Sequence, residues 1–324
     1  MRRREFTTLL GGAAAWPLTA RAQQRQRPAL IGYLAATPAA FNKPYGDAFR
    51  EGLRDLGYVE GKNIVIEARF ADGDNDRLPA LAAELVRLDP NVIVTYATGV
   101  NAVQRATSTI PIVMATQGDA IASEIVASLA HPGGNVTGST FFNPELMSKR
   151  LELMKEVIPS MNRSGVLLMG DSPINGPILR EMEVTAKALR LELQTFEMSK
   201  PSELESAFLA WATNQIGGLI VGDHGILLLN IGSIVSLAAK HRIPSIGPVE
   251  LARNNGLLAY GVNFLDLFRR AGAFVDKILR GAKPDDVPVE QATKFITIAN
   301  IRTAKSFGME LPTSILLRAD EVIE

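Results

Sequence analysis

The chain has 324 residues, 47% of them apolar and 21% charged, and it contains no cysteine. Lys plus Arg equals Asp plus Glu at 34 each, so no global field recruits nucleic acid or an anionic membrane surface. This composition is that of a globular protein with a good core, and the missing thiols exclude a disulfide framework, thiol catalysis and Cys-ligated metal.

The first segment, "MRRREFTTLLGGAAAWPLTARAQQ", sets Arg2, Arg3 and Arg4 before an uncharged apolar run, Leu9–Leu18, and closes on Ala20-Arg21-Ala22. A basic start, a short apolar middle and an A-x-A end make a secretory signal, expected to be removed after Ala22 (residues 1–22). The run is too short to span a bilayer, which needs about 20 apolar residues. The alternative is a buried N-terminal helix. Arg3-Arg4-x-Phe6 resembles a twin-arginine export signal, with Thr7-Thr8 where that signal usually has Leu and Lys. No Cys follows the leader, so no lipoprotein anchor is expected, and the working place is expected to be the periplasm. Cleavage would leave about 300 residues, enough for roughly two domains.

Beyond Pro28, short β-branched runs alternate with runs of helical period. "ALIGYLA" reads as a strand; "YGDAFREGLRDLGY" puts Phe49, Leu53 and Leu56 on one helical face, with Gly57 as the stop. "NIVIEARF" is a strand, "DRLPALAAELVRL" a helix, "NVIVTYA" a strand, "VNAVQRATS" a helix and "PIVMAT" a strand. "DAIASEIVASLA" is expected to be a helix ended by His131-Pro132-Gly133-Gly134. After "NVTGSTF" the rhythm restarts with "PELMSKRLELMKEVIP" as a helix, "SGVLLMG" as a strand and "NGPILREMEVTAKALR" as a helix. "ELQTFEM", "SELESAFLAWAT" and "GGLIVG" continue as strand, helix and strand. "ILLLNIGSIVSLAAKHR" reads as one helix, and "PSIGPV" and "LLAYGVN" as strands. The helix "LDLFRRAGAFVDKILRG" precedes "PVEQATKFITIAN" and a short tail. Two successive arrays of this kind predict two α/β, Rossmann-like lobes with parallel sheets covered on both faces. The break near Gly138–Asn143 has no Pro/Ser-rich linker, which implies a hinge. The apolar window Ile216–Leu229 is interrupted by Asp223, His224 and four glycines, and is read as buried strand and helix with no membrane insertion.

Right-handed crossovers put the loop after every strand on one edge, where ligands of open α/β sheets bind. The expected cleft loops are Ala36–Asn42, Ala71–Asp76, Thr98–Asn101, Thr116–Ala120, Thr140–Asn143, Gly170–Asn175, Gly222–Gly225 and Gly247–Glu250. "ADGDNDR" imitates the start of an EF-hand, but Arg77 stands where glycine is required and Ala83 where a bidentate Glu is. The plainer expectation is that Asp76 caps the helix after it. None of His131, His224 and His241 has a second ligand at metal spacing, and only His224 falls in a cleft loop. There is no G-x-S-x-G elbow, Walker A or G-x-G-x-x-G, and no cofactor is expected. Asp119, Asp223 and Glu250 leave open an exported hydrolase built on cleft carboxylates; a carboxylate that holds a ligand amine is the simpler account. "ATGV" and "TQGDA" offer amides and a helix start that suit an anionic group. Phe141 is the aromatic residue expected to form a wall, with Tyr45 and Phe142 as candidates for core.

"GDAFREGLRDLGYVEGKNIVIEARFADGDNDRLPALAAELV", "LAHPGGNVTGSTF" and "LPTSILLRADEVIE" resemble the exported ABC-transporter substrate-binding proteins of the tryptophan/tyrosine-type group. "GDHGILLLN" departs from the more aromatic loop common there. The resemblance implies a type I periplasmic binding fold whose lobes are joined by a three-segment hinge at Thr137–Phe141, Tyr260–Phe264 and Pro288–Lys294. The first lobe would comprise 23–138 plus 264–290, the second 139–263 plus 291–324. It also implies a small-molecule solute delivered to an ABC transporter permease, without covalent chemistry. On this reading Thr37, Thr98, Gly99 and Asp119 meet Phe141, Asn175, Asp223 and Glu250 across the cleft. A ligand carboxylate would take Thr98 and Gly99, and an amine Asp119 or Asp223. Neither Asp has a basic residue near it in sequence.

Overall fold

The computed structural model describes residues 28–170 and 172–324; the leader read from residues 1–22 lies outside them. The first array runs β1 (Ala29–Ala35), α1 (Ala39–Asp55), β2 (Ile64–Phe70), α2 (Leu78–Arg87), β3 (Val92–Thr95), α3 (Thr98–Ala106), β4 (Ile112–Met114) and β5 (Val136–Thr140). The second begins with α4 (Asn143–Val157), β6 (Arg163–Met169), α5 (Asn175–Leu189), β7 (Glu192–Met198), α6 (Leu204–Thr213) and β8 (Gly218–Val221). It continues with α7 (Gly225–Leu229), α8 (Ile231–Lys240), β9 (Ser245–Gly247), α9 (Val249–Arg253) and β10 (Leu258–Val262). The chain then returns to the first sheet through α10 (Phe264–Leu279) and β11 (Glu290–Gln291), and ends in the second with β12 (Phe295–Asn300), α11 (Ile301–Ser306), α12 (Thr313–Arg318) and β13 (Glu321–Ile323).

Six strands in the order β11-β5-β4-β3-β1-β2 form one sheet, and seven in the order β13-β12-β10-β9-β8-β6-β7 form the other. The first is parallel throughout, with Ile31 beside Val92 and Ile93 beside Ile112. In the second, β10 and β12 pair antiparallel, a departure from the all-parallel expectation. The cause is connectivity: β12 enters after the excursion through α10 and β11, so no crossover helix of its own sets its direction. Central strands β3 and β8 are buried at every residue, whereas the edge strands β2 and β7 are half-exposed, as sheets covered on both faces require. Around the first sheet, Phe49, Leu53, Phe268 and Phe274 pack on one face and Leu34, Leu85, Ile93 and Met114 on the other. The second sheet sits between Met147, Leu151, Ile178 and Met182 on one side and Phe208, Trp211 and Ile234 on the other.

Helices α1 and α10 meet at a glycine pair. A methyl group on Gly52 would fall 2.0 Å from the Arg269 carbonyl oxygen, and one on Gly272 would fall 2.8 Å from the Gly52 carbonyl carbon. Just past α1, Gly57 takes a φ of 88° and ends the helix as expected, while Leu56 caps it half-exposed instead of joining Phe49 and Leu53.

Three local expectations are corrected. The stretch from Asp119 to Ala130 is a series of turns, not a helix, because Asp119 and Glu124 both sit at φ 55° and the Ala120 amide donates to Thr140 Oγ1. Asp74, not Asp76, accepts the capping hydrogen bond ahead of α2, from the Asp76 amide at 3.0 Å. The helix expected over 226–242 is divided at Asn230, whose side-chain amide donates back to the Ile226 carbonyl at 2.8 Å.

Candidate functional site

The loops after β1, β3 and β4 face those after β6 and β8 across a cleft with two connected compartments. The inner chamber, about 60 Å³, is walled by Phe41, Tyr45, Tyr96, Phe141, Leu228, Phe264 and Phe268. The outer vestibule, about 100 Å³, carries Asn75, Thr98, Asn101, Ser123 and Ser172. Ala97, Gln117, Gly118, Asp223 and His224 belong to both, so they form the neck between them.

The rings of the chamber wall pack against one another. Tyr45 lies 5.1 Å from Phe268, Tyr96 meets Phe268 edge-on at 5.2 Å, and Phe141 meets Phe264 edge-on at 6.0 Å. Both tyrosine hydroxyls are already committed. Tyr96 Oη shares a hydrogen bond with Thr37 Oγ1 at 2.9 Å and donates to Asn42 Oδ1 at 2.9 Å, while Asn42 Nδ2 also donates to Thr37 Oγ1. Tyr45 Oη reaches across from α1 to Glu250 Oε1 on α9, at 3.2 Å. Burial raises both phenols above their ordinary pKa.

At the neck and beside it in the chamber wall, polar groups are left without partners. Thr116 Oγ1 and Gln117 Oε1 are buried and take no hydrogen bond among the described residues, although both residues line the chamber. Ala97, which opens α3, is held at φ 46° and ψ −128°, a conformation that suits glycine and costs a side-chain-bearing residue about 1–3 kcal/mol. Its amide donates to the Thr116 carbonyl at 3.2 Å, tying the two loops together.

The expected site residues divide into those brought to the cleft and those spent on structure. Phe141, Thr98 and Asp223 line it. The Thr98 hydroxyl stands 3.4 Å from Asn75 Oδ1 in the vestibule. Gly99 turns its amide to the Tyr96 carbonyl, and a methyl group there would strike Thr95 Oγ1 at 2.2 Å, so this glycine serves close packing. The Thr37 hydroxyl is engaged with Tyr96 and Asn42, while its methyl faces Gly225 of the opposite lobe. The Asn175 side chain donates to the Met169 carbonyl at 2.9 Å and closes the start of α5. Asp119 Oδ1 accepts from the Ala122 amide at 2.9 Å and caps its own turn. Glu250 lies behind Tyr45; its Oε2 is buried and unpartnered among the described residues, and burial first of all raises its carboxyl pKa.

Asp223, with no basic residue near it in sequence, finds its partner across the fold. Arg150, on α4, binds it through both guanidinium ends, at 2.6 and 2.9 Å, with side chains 0% and 1% exposed. The same guanidinium donates to the Tyr260 carbonyl at 2.7 Å and to the Val221 carbonyl at 2.9 Å. One arginine therefore joins α4, the end of β8, strand β10 and the cleft loop. Its signal in the sequence is slight, a single basic position on an otherwise apolar helical face, 73 residues before its partner. Tyr96, Thr116, Gln117, Phe264 and Phe268 are further cleft residues that the sequence alone did not single out; Thr116 and Gln117 do fall within an expected cleft loop.

The family described as "ABC transporter substrate binding protein" matches residues 38–323. A tyrosine-binding protein of Clostridioides difficile (strain R20291) is 28% identical over 265 residues, covering 81% of this chain and 76% of that one. A crystal structure from Streptococcus pneumonia, an ABC domain in complex with L-Trp, superposes with a TM-score of 0.85 at 24% identity, covering 91% of this chain and 100% of that one. The ligand-free, open structure of CD0873, a substrate-binding protein with adhesive properties from Clostridium difficile, gives 0.66 at 22% identity, covering 91% and 99%. These relatives are solute-binding proteins, which removes the hydrolase alternative, and their two-lobed α/β fold is the one described above. The chain belongs to the family of ABC transporter substrate-binding proteins.

Proposed function

We propose that this protein is an exported receptor for an amino-acid-like solute with an apolar side chain, which it delivers to an ABC transporter permease from the periplasm. The observation that carries this reading is in the wall of the aromatic chamber: the buried, unpartnered Thr116 and Gln117 oxygens. An ammonium group is matched by the Gln117 and Thr116 oxygens, and a carboxylate by the Thr98 hydroxyl and the neck opposite. The apolar side chain enters the chamber. Asp223 supports the neck through Arg150 and is not the amine's counter-ion. The names of the relatives, one tyrosine-binding and one bound to L-Trp, support an amino-acid class of ligand.

The lobes, 23–138 plus 264–290 and 139–263 plus 291–324, are taken to move about the three segments where the chain passes from one sheet to the other. A ligand touching both lobes favours the closed form by its differential affinity alone. A micromolar dissociation constant, about −8 kcal/mol, is within reach of one buried apolar group and a few satisfied polar contacts. Isothermal calorimetry with L-phenylalanine, L-tyrosine, L-tryptophan, L-leucine and L-valine tests the reading, with small-angle scattering at saturation. Binding of at least one, with a smaller radius of gyration, is expected. No heat from any of them, and no amino acid released on denaturing the purified protein, would end the amino-acid reading.

A further inference from the structure

We infer that His224 is a specificity-determining residue of the cleft, presenting a neutral Nε2–H to an acceptor group on the bound solute. The inference rests on the amino-acid reading above and adds to it the residue opposite the ligand's carboxylate. His224 is the N-cap of α7, and its Nδ1 accepts from the Ile226 amide at 3.2 Å. An imidazole that accepts at Nδ1 while neutral must carry its proton on Nε2. Nε2 takes no protein partner among the described residues, and His224 is only half-buried where it lines the cleft. The ring lines both the aromatic chamber and the polar vestibule, the junction where an apolar amino acid changes from side chain to carboxylate.

Burial keeps this donor neutral, and no neighbouring charge is free to offset it. Asp223, next in sequence, is already taken by Arg150. Tyr45 and Tyr96 share the chamber with their phenols raised by burial, and Glu250 behind Tyr45 is held up by burial as well. Burial in turn pushes the imidazole down to about 4, so it remains uncharged across neutral pH. A neutral N–H discriminates by geometry: it donates to a carboxylate or carbonyl oxygen and leaves an ammonium at the same place unpaired.

The test separates this role from the capping role on the same ring, using the full chain. His224→Asn retains an oxygen that suits the α7 N-cap but is too short to reach the neck, whereas His224→Gln extends an amide N–H toward the Nε2 position. Calorimetry uses L-phenylalanine and L-leucine, each compared with its decarboxylated amine. His224→Asn is expected to weaken the amino acids by roughly ten- to a hundredfold, the range for a hydrogen bond to a charged group, with the amines unaffected. His224→Gln is expected to recover part of the loss, and the ligand-free melting temperature of His224→Asn to stay near that of the parent. Unchanged amino-acid affinity in His224→Asn overturns the inference. A second measurement needs no solute: ¹⁵N spectra of the histidine side chains should show position 224 as the Nε2–H tautomer at pH 7, protonating only below pH 5. An Nδ1–H tautomer, or titration at an ordinary histidine value, overturns it equally. A parent protein that binds none of the amino acids removes the reading of the solute instead, and the spectra then decide the inference.

Discussion

Asp223→Asn isolates the buried ion pair with one atom changed. In the parent, two carboxylate oxygens meet two guanidinium nitrogens at 2.6 and 2.9 Å, and neither side chain has access to solvent. Asparagine keeps one of these acceptors and turns an NH₂ group toward the other donor, so the Arg150 charge stays buried with no counter-charge. Removing one partner of a buried pair costs about 3–5 kcal/mol. At roughly 2–4 °C per kcal/mol for domains of this size, the ligand-free protein should melt on the order of 6–20 °C lower. Arg150→Met should cost at least as much, because it orphans Asp223 and also strips the Tyr260 and Val221 carbonyls of their donor. The double variant removes both charges and should regain much of the loss, a coupling that calorimetric melting of the four proteins measures directly. If Asp223→Asn melts within 2 °C of the parent, the carboxylate is not the counter-ion of Arg150, and its assignment to the support of the cleft fails.

Asp119→Ala loses the bond to the Ala122 amide at a left-handed position, so it should cost about 1–2 kcal/mol in urea titrations and leave solute affinity within twofold. A tenfold weaker affinity would instead make Asp119 a ligand contact. Burial holds the Glu250 carboxyl above its ordinary 4.5, so the folded protein keeps a proton that the unfolded chain has released. Stability should therefore fall as pH rises from 4.5 through that raised value, and Glu250→Gln should flatten this limb; equal slopes in parent and variant would contradict it. Protein recovered from the periplasm of its host should begin at Gln23, and Edman sequencing that reads Met1 there would refute the leader.

The β-α rhythm was legible because buried parallel strands such as "VIVT" and amphipathic helices such as "YGDAFREGLRD" carry their period locally. What escaped depends on partners far along the chain. The turn series after Asp119 has the composition of a helix, but its Ala120 amide is claimed by Thr140 and its backbone is held left-handed at two acidic residues. Arg150 and Asp223 lie on different elements, and nothing in either neighbourhood announces the other. The cleft loops could be placed from topology, but which side chains in them remain unpartnered could not. Thr37, Gly99 and Asn175 sit where expected and spend their polar groups on the scaffold, whereas Thr116 Oγ1 and Gln117 Oε1 have no partner among the described residues.

The glycine contact between α1 and α10 bears on how the protein is made. Helix α1 buries Phe49 and Leu53 in a core that includes Phe268 and Phe274, and these partners emerge from the ribosome more than 200 residues later. The first lobe is thus begun first, yet it cannot be finished until most of the second has been synthesised. Residues 143–262 can complete most of a sheet while α1 still waits with an apolar stripe uncovered. Long-range closure of this kind slows folding and prolongs exposure of adhesive surface. A nascent chain stalled near residue 262 should therefore remain bound by holdase chaperones, and one extended past Leu279 should let them go.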